Sequence, residues 1–311
     1  MKQVVSRLLE FVLFILILSI ISFAFMKLAP GDPVRSMLKT DDISVSDAEV
    51  EELRNELGLN DPLVMQYGNW LKSFVEFDLG NSYMTKQPVI QELLKRFPAT
   101  LELTLASLLI MIVIAVPLGT FSAIYKDTWV DHISRIFALI GAAIPSFWLG
   151  LLFVQLFSVK LGVLPSMGKG GILHLILPSA TLGIAMAAVY VRLIRASLIE
   201  SLGQDFIRSA KARGFTKSKI FFLLAFRHSL LPVITVLGVS IGSLLGGTVI
   251  IEVIFSYQGL GKFVIDAIMK RDYPVIQGYI LIMGILVVSI NLLVDLSYRY
   301  LDPKIRIKGR E

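Results

Sequence analysis

Not one of the 311 residues is a cysteine. That removes disulfides, thiolate metal sites and a cysteine nucleophile, and leaves the redox compartment open. Histidine is scarce as well: His132, His174 and His228 have neither H-x-x-H nor H-x-x-x-H spacing, so the sequence carries no metal-ligand cluster. Charge is the third shortage. With 17% charged residues, 55% hydrophobic residues and a mean hydropathy of +0.74, the chain is too apolar for a soluble globular protein of this length. It reads as an integral membrane protein. The net charge of +6 sits mainly at the ends of apolar runs, where membrane topology rather than nucleic acid accounts for it.

Catalytic motifs are missing too. There is no H-E-x-x-H and no paired Gly-x-Gly-Asp and Tyr-Asp, so an intramembrane enzyme has no support and no catalytic residue is assigned. A G-x-x-x-x-G-K-[ST] phosphate loop is also absent, and Gly259-Leu-Gly-Lys262 is too short to serve as one. The chain is therefore expected to bind no cofactor.

What is present is apolar length. A span needs about 20 apolar residues, and six windows qualify: Phe11 to Leu28, Leu103 to Ile124, Ile136 to Val159, Leu173 to Leu193, Leu231 to Ile254 and Val275 to Leu296. The first follows Lys2 and Arg7 but is long and has no small-residue cleavage pattern, so it reads as a retained span. An N-terminus inside places 17 of the 30 basic residues on the cytoplasmic side and five in the two short outer loops. Both termini are expected in the cytoplasm. The expected division is residues 1–28 as tail and first span, 29–98 as an extracytoplasmic helical loop, 99–298 as a five-helix core, and 299–311 as a cytoplasmic tail.

The outer loop carries helix punctuation. Ser46 to Glu49 fits a capping box, Val50, Leu53 and Leu57 share a face, and Gly58 is a stop. Asp61-Pro62 opens a second helix with the stripe Leu63, Tyr67, Trp70, Leu71 and Phe74; a third short stripe is Ile90, Leu93, Leu94 and Phe97.

The segment from Arg195 to Pro232 interrupts the lipid-compatible pattern with 38 residues rich in positive charge. Leu198, Leu202, Phe206 and Ala210 recur every four residues while Arg208, Lys211 and Arg213 take other faces. Gly214 can close that helix in the left-handed conformation, and Thr216 or Ser218 can cap the next stretch, Lys219 to His228, which ends before Pro232. Such an elbow suits either a groove in a cytoplasmic protein or the surface of an anionic bilayer.

The residues of this elbow resemble the EAA loop of ABC importer permeases, more narrowly of the dipeptide, oligopeptide and nickel family. In place of Glu-Ala-Ala stands Arg208-Ser209-Ala210, and Leu224-Ala225-Phe226-Arg227 replaces Ile-x-Leu-Pro. Ala29-Pro-Gly-Asp-Pro33, Phe77-Asp-Leu-Gly-Asn-Ser82, Leu245-Gly-Gly-Thr-Val-Ile-Ile-Glu252 and Leu301-Asp-Pro303 are similar to family segments elsewhere. Met167 to Gly171, His174 and Arg271 to Gln277 look most like nickel permeases of the NikB type. The resemblance implies an all-α type I permease with six transmembrane helices in the bacterial cytoplasmic membrane. It further implies nickel, free or chelated, as cargo, with di- or oligopeptides as the alternative. The implied partners are a second permease subunit, two cytoplasmic ATPase subunits that bind ATP and Mg, an extracytoplasmic solute-binding protein and the bilayer. Phe206, Arg208, Ser209, Ala210, Arg213, Gly214 and Leu224 are the implied coupling residues.

Two further groups stand out. Gly238, Gly242 and Gly246, with Gly247 adjacent, form a stripe at helical spacing, which serves either close packing or sliding of spans. Glu252 and His174 lie near outer span ends; they either reach the interface or contribute to a translocation path.

Overall fold

A computed structural model describes residues 2–28, 34, 46–56 and 58–301, with only the backbone described at residues 2–8, 245, 247 and 294–301. The Ala29 to Pro33 motif, Leu57, and the tail beyond Leu301 lie outside the described residues. The chain divides into two compact units, Met1–Thr100 with Gln258–Val288, and Leu101–Tyr257 with Ser289–Glu311. Its elements are α1 (Lys2–Leu28), α2 (Asp47–Glu56), α3 (Leu63–Val75), α4 (Val89–Ile124), α5 (Trp129–Ala143), α6 (Ser146–Phe153), α7 (Ile172–Gly203), α8 (Asp205–Ala212), α9 (Arg227–Ile254), α10 (Leu260–Met269) and α11 (Tyr273–Leu301). Among the described residues there is no strand, only an isolated bridge between Asn81 and Pro88. The expected all-α class holds, with five helices long and apolar enough to span a membrane, or six if one bent pair counts as a span.

That bent pair corrects the third window. Instead of one helix from Ile136 to Val159, α5 stops at Ala143 and α6 departs at 100°. The cause is Pro145, whose ring pushes the preceding residue out of helical space; Ile144 is extended at φ −82°, ψ 124°. Two other boundaries shift. The stripe from Ile90 to Phe97 is the first part of the 36-residue α4, which runs on through Pro98. Pro232 does not open a span but lies inside α9, which continues from a π-helical segment, Ile220–Phe226.

In the first unit, the capping box forms as read. Glu49 N donates to Ser46 Oγ at 3.3 Å, Ser46 N donates to Glu49 Oε2 at 3.1 Å, and Gly58 takes φ +62°. The stripe of α3 packs on α1: Tyr67 and Trp70 lie 5.4 and 6.2 Å from the Phe23 ring, and the Ser19 and Tyr67 hydroxyls are 2.8 Å apart. Leu63, at the start of that stripe, is exposed. Asp272, 3% exposed, holds the loop after Asn81 by accepting from Ser82 Oγ at 2.5 Å and Tyr83 N at 3.0 Å.

In the second unit, α7 is the central element. Met111, Ala115, Ala138, Ala187, Tyr190, Val191, Ile194 and Val233 form its core with α4, α5 and α9. Helices approach closely through Gly119, Gly141 and Gly183. A Cβ on Gly183 would lie 2.7 Å from Ile110 Cβ and 2.8 Å from the Ser107 carbonyl oxygen, and one on Gly141 would lie 2.6 Å from Ala188 Cβ. The Tyr190 hydroxyl donates to Ser240 Oγ at 2.9 Å and so ties α7 to α9.

Candidate functional site: the elbow between α7 and α9

The elbow is built from its stops. After Gly203, Gln204 is extended, and α8 begins at Asp205. Its end is a Schellman turn: Gly214 at φ +78° donates to the Lys211 carbonyl at 3.0 Å, and Phe215 N donates to the Ala210 carbonyl at 3.2 Å. Thr216 caps the following turn through Lys219 N at 3.4 Å. Gly214 and Thr216 therefore do what their positions predicted.

Packing fixes the angle. Ile207 and Ala210 bury one face of α8 against Ala123, Leu198, Ile220 and Ala225, with Leu202 and Leu224 packed alongside. Ile207 is the fully buried residue of α8, whereas Phe206 is 37% exposed and sets its ring 5.2 Å from that of His228. The periodicity chose Phe206 because it continued Leu198 and Leu202; the break at Gly203 and Gln204 rotates the buried face by one residue. Ser201 Oγ donates to the Ala225 carbonyl at 2.9 Å, tying the end of α7 to the π-helical segment.

One side of the elbow encloses a cavity of 380 Å³ lined by Phe206, Ser209, Ala210, Arg213, Phe215, Lys219, Leu223 and Leu224. Five of the seven residues assigned to coupling meet there. Gly214 shapes the turn, and Arg208 lies off the cavity, paired with Asp205 at 3.4 Å. Phe215 and Leu223, 47% and 62% exposed, also line this cavity and stand outside the set that the sequence pattern picks out. Their signature was visible: large apolar side chains in a segment otherwise rich in lysine and arginine.

The base of the elbow is held by an ion pair that spacing could not show. Asp131, fully buried, accepts from Arg195 Nε at 2.6 Å and Nη2 at 2.7 Å, from Ser122 Oγ at 2.7 Å and from Asp127 N at 3.0 Å. The bidentate geometry fixes Arg195 relative to α5.

The other candidates lie apart from the elbow. Gly238 and Gly242 are buried in α9, while a Cβ on Gly246 would meet nothing within 4 Å; Gly247 is helical. Glu252 is fully buried near the end of α9, and its carbonyl accepts from Tyr257 N at 2.7 Å. The Tyr257 hydroxyl donates to Glu102 at 3.1 Å, and Lys169 lies 3.7 Å from the same carboxylate. Burial, with Glu102 beside it, pushes the Tyr257 phenol pKa up. His174 packs its ring on Gly170, and its buried Nδ1 has no hydrogen-bond partner among the described residues. Gly168 N donates to the Phe255 carbonyl at 2.8 Å, joining the loop before His174 to the turn after Glu252. Among the described residues no group of three or more His, Asp or Glu could hold a metal ion.

Comparison with known proteins places the chain as a whole. Residues 115–307 match the family described as binding-protein-dependent transport system inner membrane component, and residues 1–104 match its companion, "Binding-prot-dependent transport system membrane comp, N-term". The glutathione transport system permease protein GsiC of Pectobacterium atrosepticum is 40% identical over 304 residues, covering 98% of each chain. GsiC of Escherichia coli K12 is 38% identical over 309 residues, covering 99% of this chain and 100% of the other. Among solved structures, an inward-facing MetNI methionine ABC transporter chain is 19% identical with a TM-score of 0.57, covering 70% of this chain and 99% of that one. A chain of an amino acid ABC transporter gives 14% and 0.56, covering 68% and 94%. Nickel-type specificity finds no support in these relatives.

Proposed function

The chain belongs to the family of binding-protein-dependent transport system inner membrane components, and from that membership we propose that it forms part of the translocation pathway for short peptides of the glutathione class. The observation that carries the cargo class is end-to-end identity of 38–40% with two glutathione permeases. Nickel, the reading suggested by Met167 to Gly171 and His174, gives way to the peptide reading.

In this proposal the elbow is the coupling element. Its cavity offers Phe206, Phe215 and Leu223 to an apolar knob of an ATPase subunit, with Arg213 and Lys219 as polar contacts at the rim. The Schellman turn, the cluster around Ile207 and the Asp131–Arg195 pair make it stiff enough to pass a push into α7 and α9. Two ATPases bind ATP and Mg, a second permease completes the path, and an extracytoplasmic binding protein delivers the peptide. Both termini and the elbow face the cytoplasm. Glu252 and His174 belong to the outer part of the path.

Uptake of labelled glutathione, a dipeptide and nickel in a deletion strain tests the cargo. Loss of peptide uptake with normal nickel-dependent growth is expected; the reverse pattern would sink the peptide reading. For the coupling role, deletion of Arg208 to Gly214 should abolish uptake while the complex still reaches the membrane. Intact uptake would refute it.

A further inference from the structure

A second cavity, of 460 Å³, opens between α5 and α7 and is lined by His132, Arg135, Ile136, Leu139, Arg192 and Arg195. On α5 the four lining residues follow one another at helical spacing, so they form one stripe that is cationic at its first turn and aliphatic beyond it. On α7, Arg192 and Arg195 stand one turn apart and face that cationic end. The close approach of the two helices at Gly141 and Ala188 brings these side chains into one groove.

The charges in the groove are unevenly satisfied. Arg195 spends Nε and Nη2 on Asp131, which neutralises it. Arg135 and Arg192 have no ion-pair partner among the described residues, and both are exposed. His132 directs Nδ1 to the Thr128 carbonyl at 2.7 Å, which leaves Nε2 free to face a ligand. Two uncompensated guanidiniums in a groove of this size call for an anion with several acceptor oxygens. The rest of the lining, Ile136, Leu139 and the arginine stems, is aliphatic, and Ile136 and Leu139 are 55% and 68% exposed. A free inorganic anion would gain nothing from that half. A molecule with a phosphate head and a hydrocarbon tail would use both.

We infer that the groove between α5 and α7 is a binding site for an anionic phospholipid, with Arg135 and Arg192 on the headgroup phosphate and Ile136 and Leu139 against the first carbons of an acyl chain. Its occupant would fill the groove without touching the elbow cavity.

The test uses the complete transporter in nanodiscs and in detergent. Native mass spectrometry should show phosphatidylglycerol or cardiolipin retained about tenfold over phosphatidylcholine, the factor expected for two charge-assisted contacts of about 0.7 kcal/mol each. In Arg135→Gln/Arg192→Gln that preference should vanish, and in Arg135→Lys/Arg192→Lys it should be partly kept, which separates charge from misfolding. Three results would overturn the inference: unchanged preference in the glutamine pair, displacement of the lipid by millimolar inorganic phosphate, or a photocrosslinker at Leu139 that captures a protein subunit instead of lipid.

Discussion

At the residue scale, the Asp131–Arg195 pair shows how a charge survives inside an apolar chain. A carboxylate with no exposure is tolerable because four donors converge on it, two of them from one guanidinium. Removing one partner strands the other. Arg195→Ala should therefore lower stability by about 3–5 kcal/mol, and Asp131→Asn/Arg195→Gln should cost less than Arg195→Ala alone; thermal unfolding in detergent measures both. Tyr83 gives a pH prediction of opposite character. Burial first, then Asp272 and Tyr273, push its phenol from 10.0 up to about 12. The folded state thus holds that proton more tightly, so its stabilising contribution is full below pH 10.0 and is lost as pH rises through about 12. Melting temperature should fall more steeply across that window in the native chain than in Tyr83→Phe.

At the element scale, glycines divide into those that carry backbone geometry, those that carry packing and those that do neither inside this chain. Gly214 is of the first kind, and Gly214→Ala should cost about 1–2 kcal/mol by forcing a Cβ into left-handed space. Gly183 is of the second: Gly183→Val meets the Ser107 backbone carbonyl, which cannot rotate away, and should cost about 1–3 kcal/mol. Gly246→Ala meets open space and should raise helix stability by about 1 kcal/mol, so any loss of uptake in that variant reports on assembly or motion rather than folding. Circular dichroism melts paired with uptake assays separate the three. The contrast also shows what sequence could and could not reveal. Caps and stops were legible, at Ser46, Gly58, Gly214 and Thr216, because each acts within four residues of itself. The 100° turn at Pro145 was also written locally, but the apolar run across it masked the break. Ile207 and the Asp131–Arg195 pair were not legible, since the first depends on a break in helical phase and the second on residues 64 apart. Gly119, Gly141 and Gly183 have no regular spacing, so the close approaches they permit appear only once the helices are placed.

At the scale of the whole molecule, exposed apolar side chains need two explanations. Those on α1, from Leu9 to Phe25, and along α4, α5 and α6 lie in spans and suit a hydrocarbon solvent. Phe222 and Leu223 stand in the first turns of the apolar helix Lys217–Leu244, and with Phe215 they flank Lys211, Arg213, Lys217 and Lys219, whose charges belong in water or against a polar partner. Under the proposed coupling role, their exposure, 47%, 65% and 62%, supplies surface for a protein contact. Leu223 makes the sharpest test because it lines the elbow cavity yet lies outside the buried cluster that sets the elbow's angle. Leu223→Glu should leave the fold within about 0.5 kcal/mol of the native chain. It should still reduce co-purification of the ATPase subunits and peptide uptake at least tenfold, because a carboxylate placed in an apolar contact loses its water without gaining a partner. The second permease subunit should stay bound. If the ATPases co-purify undiminished and uptake persists, the cavity between α8 and the π-helical segment is not where force enters this chain.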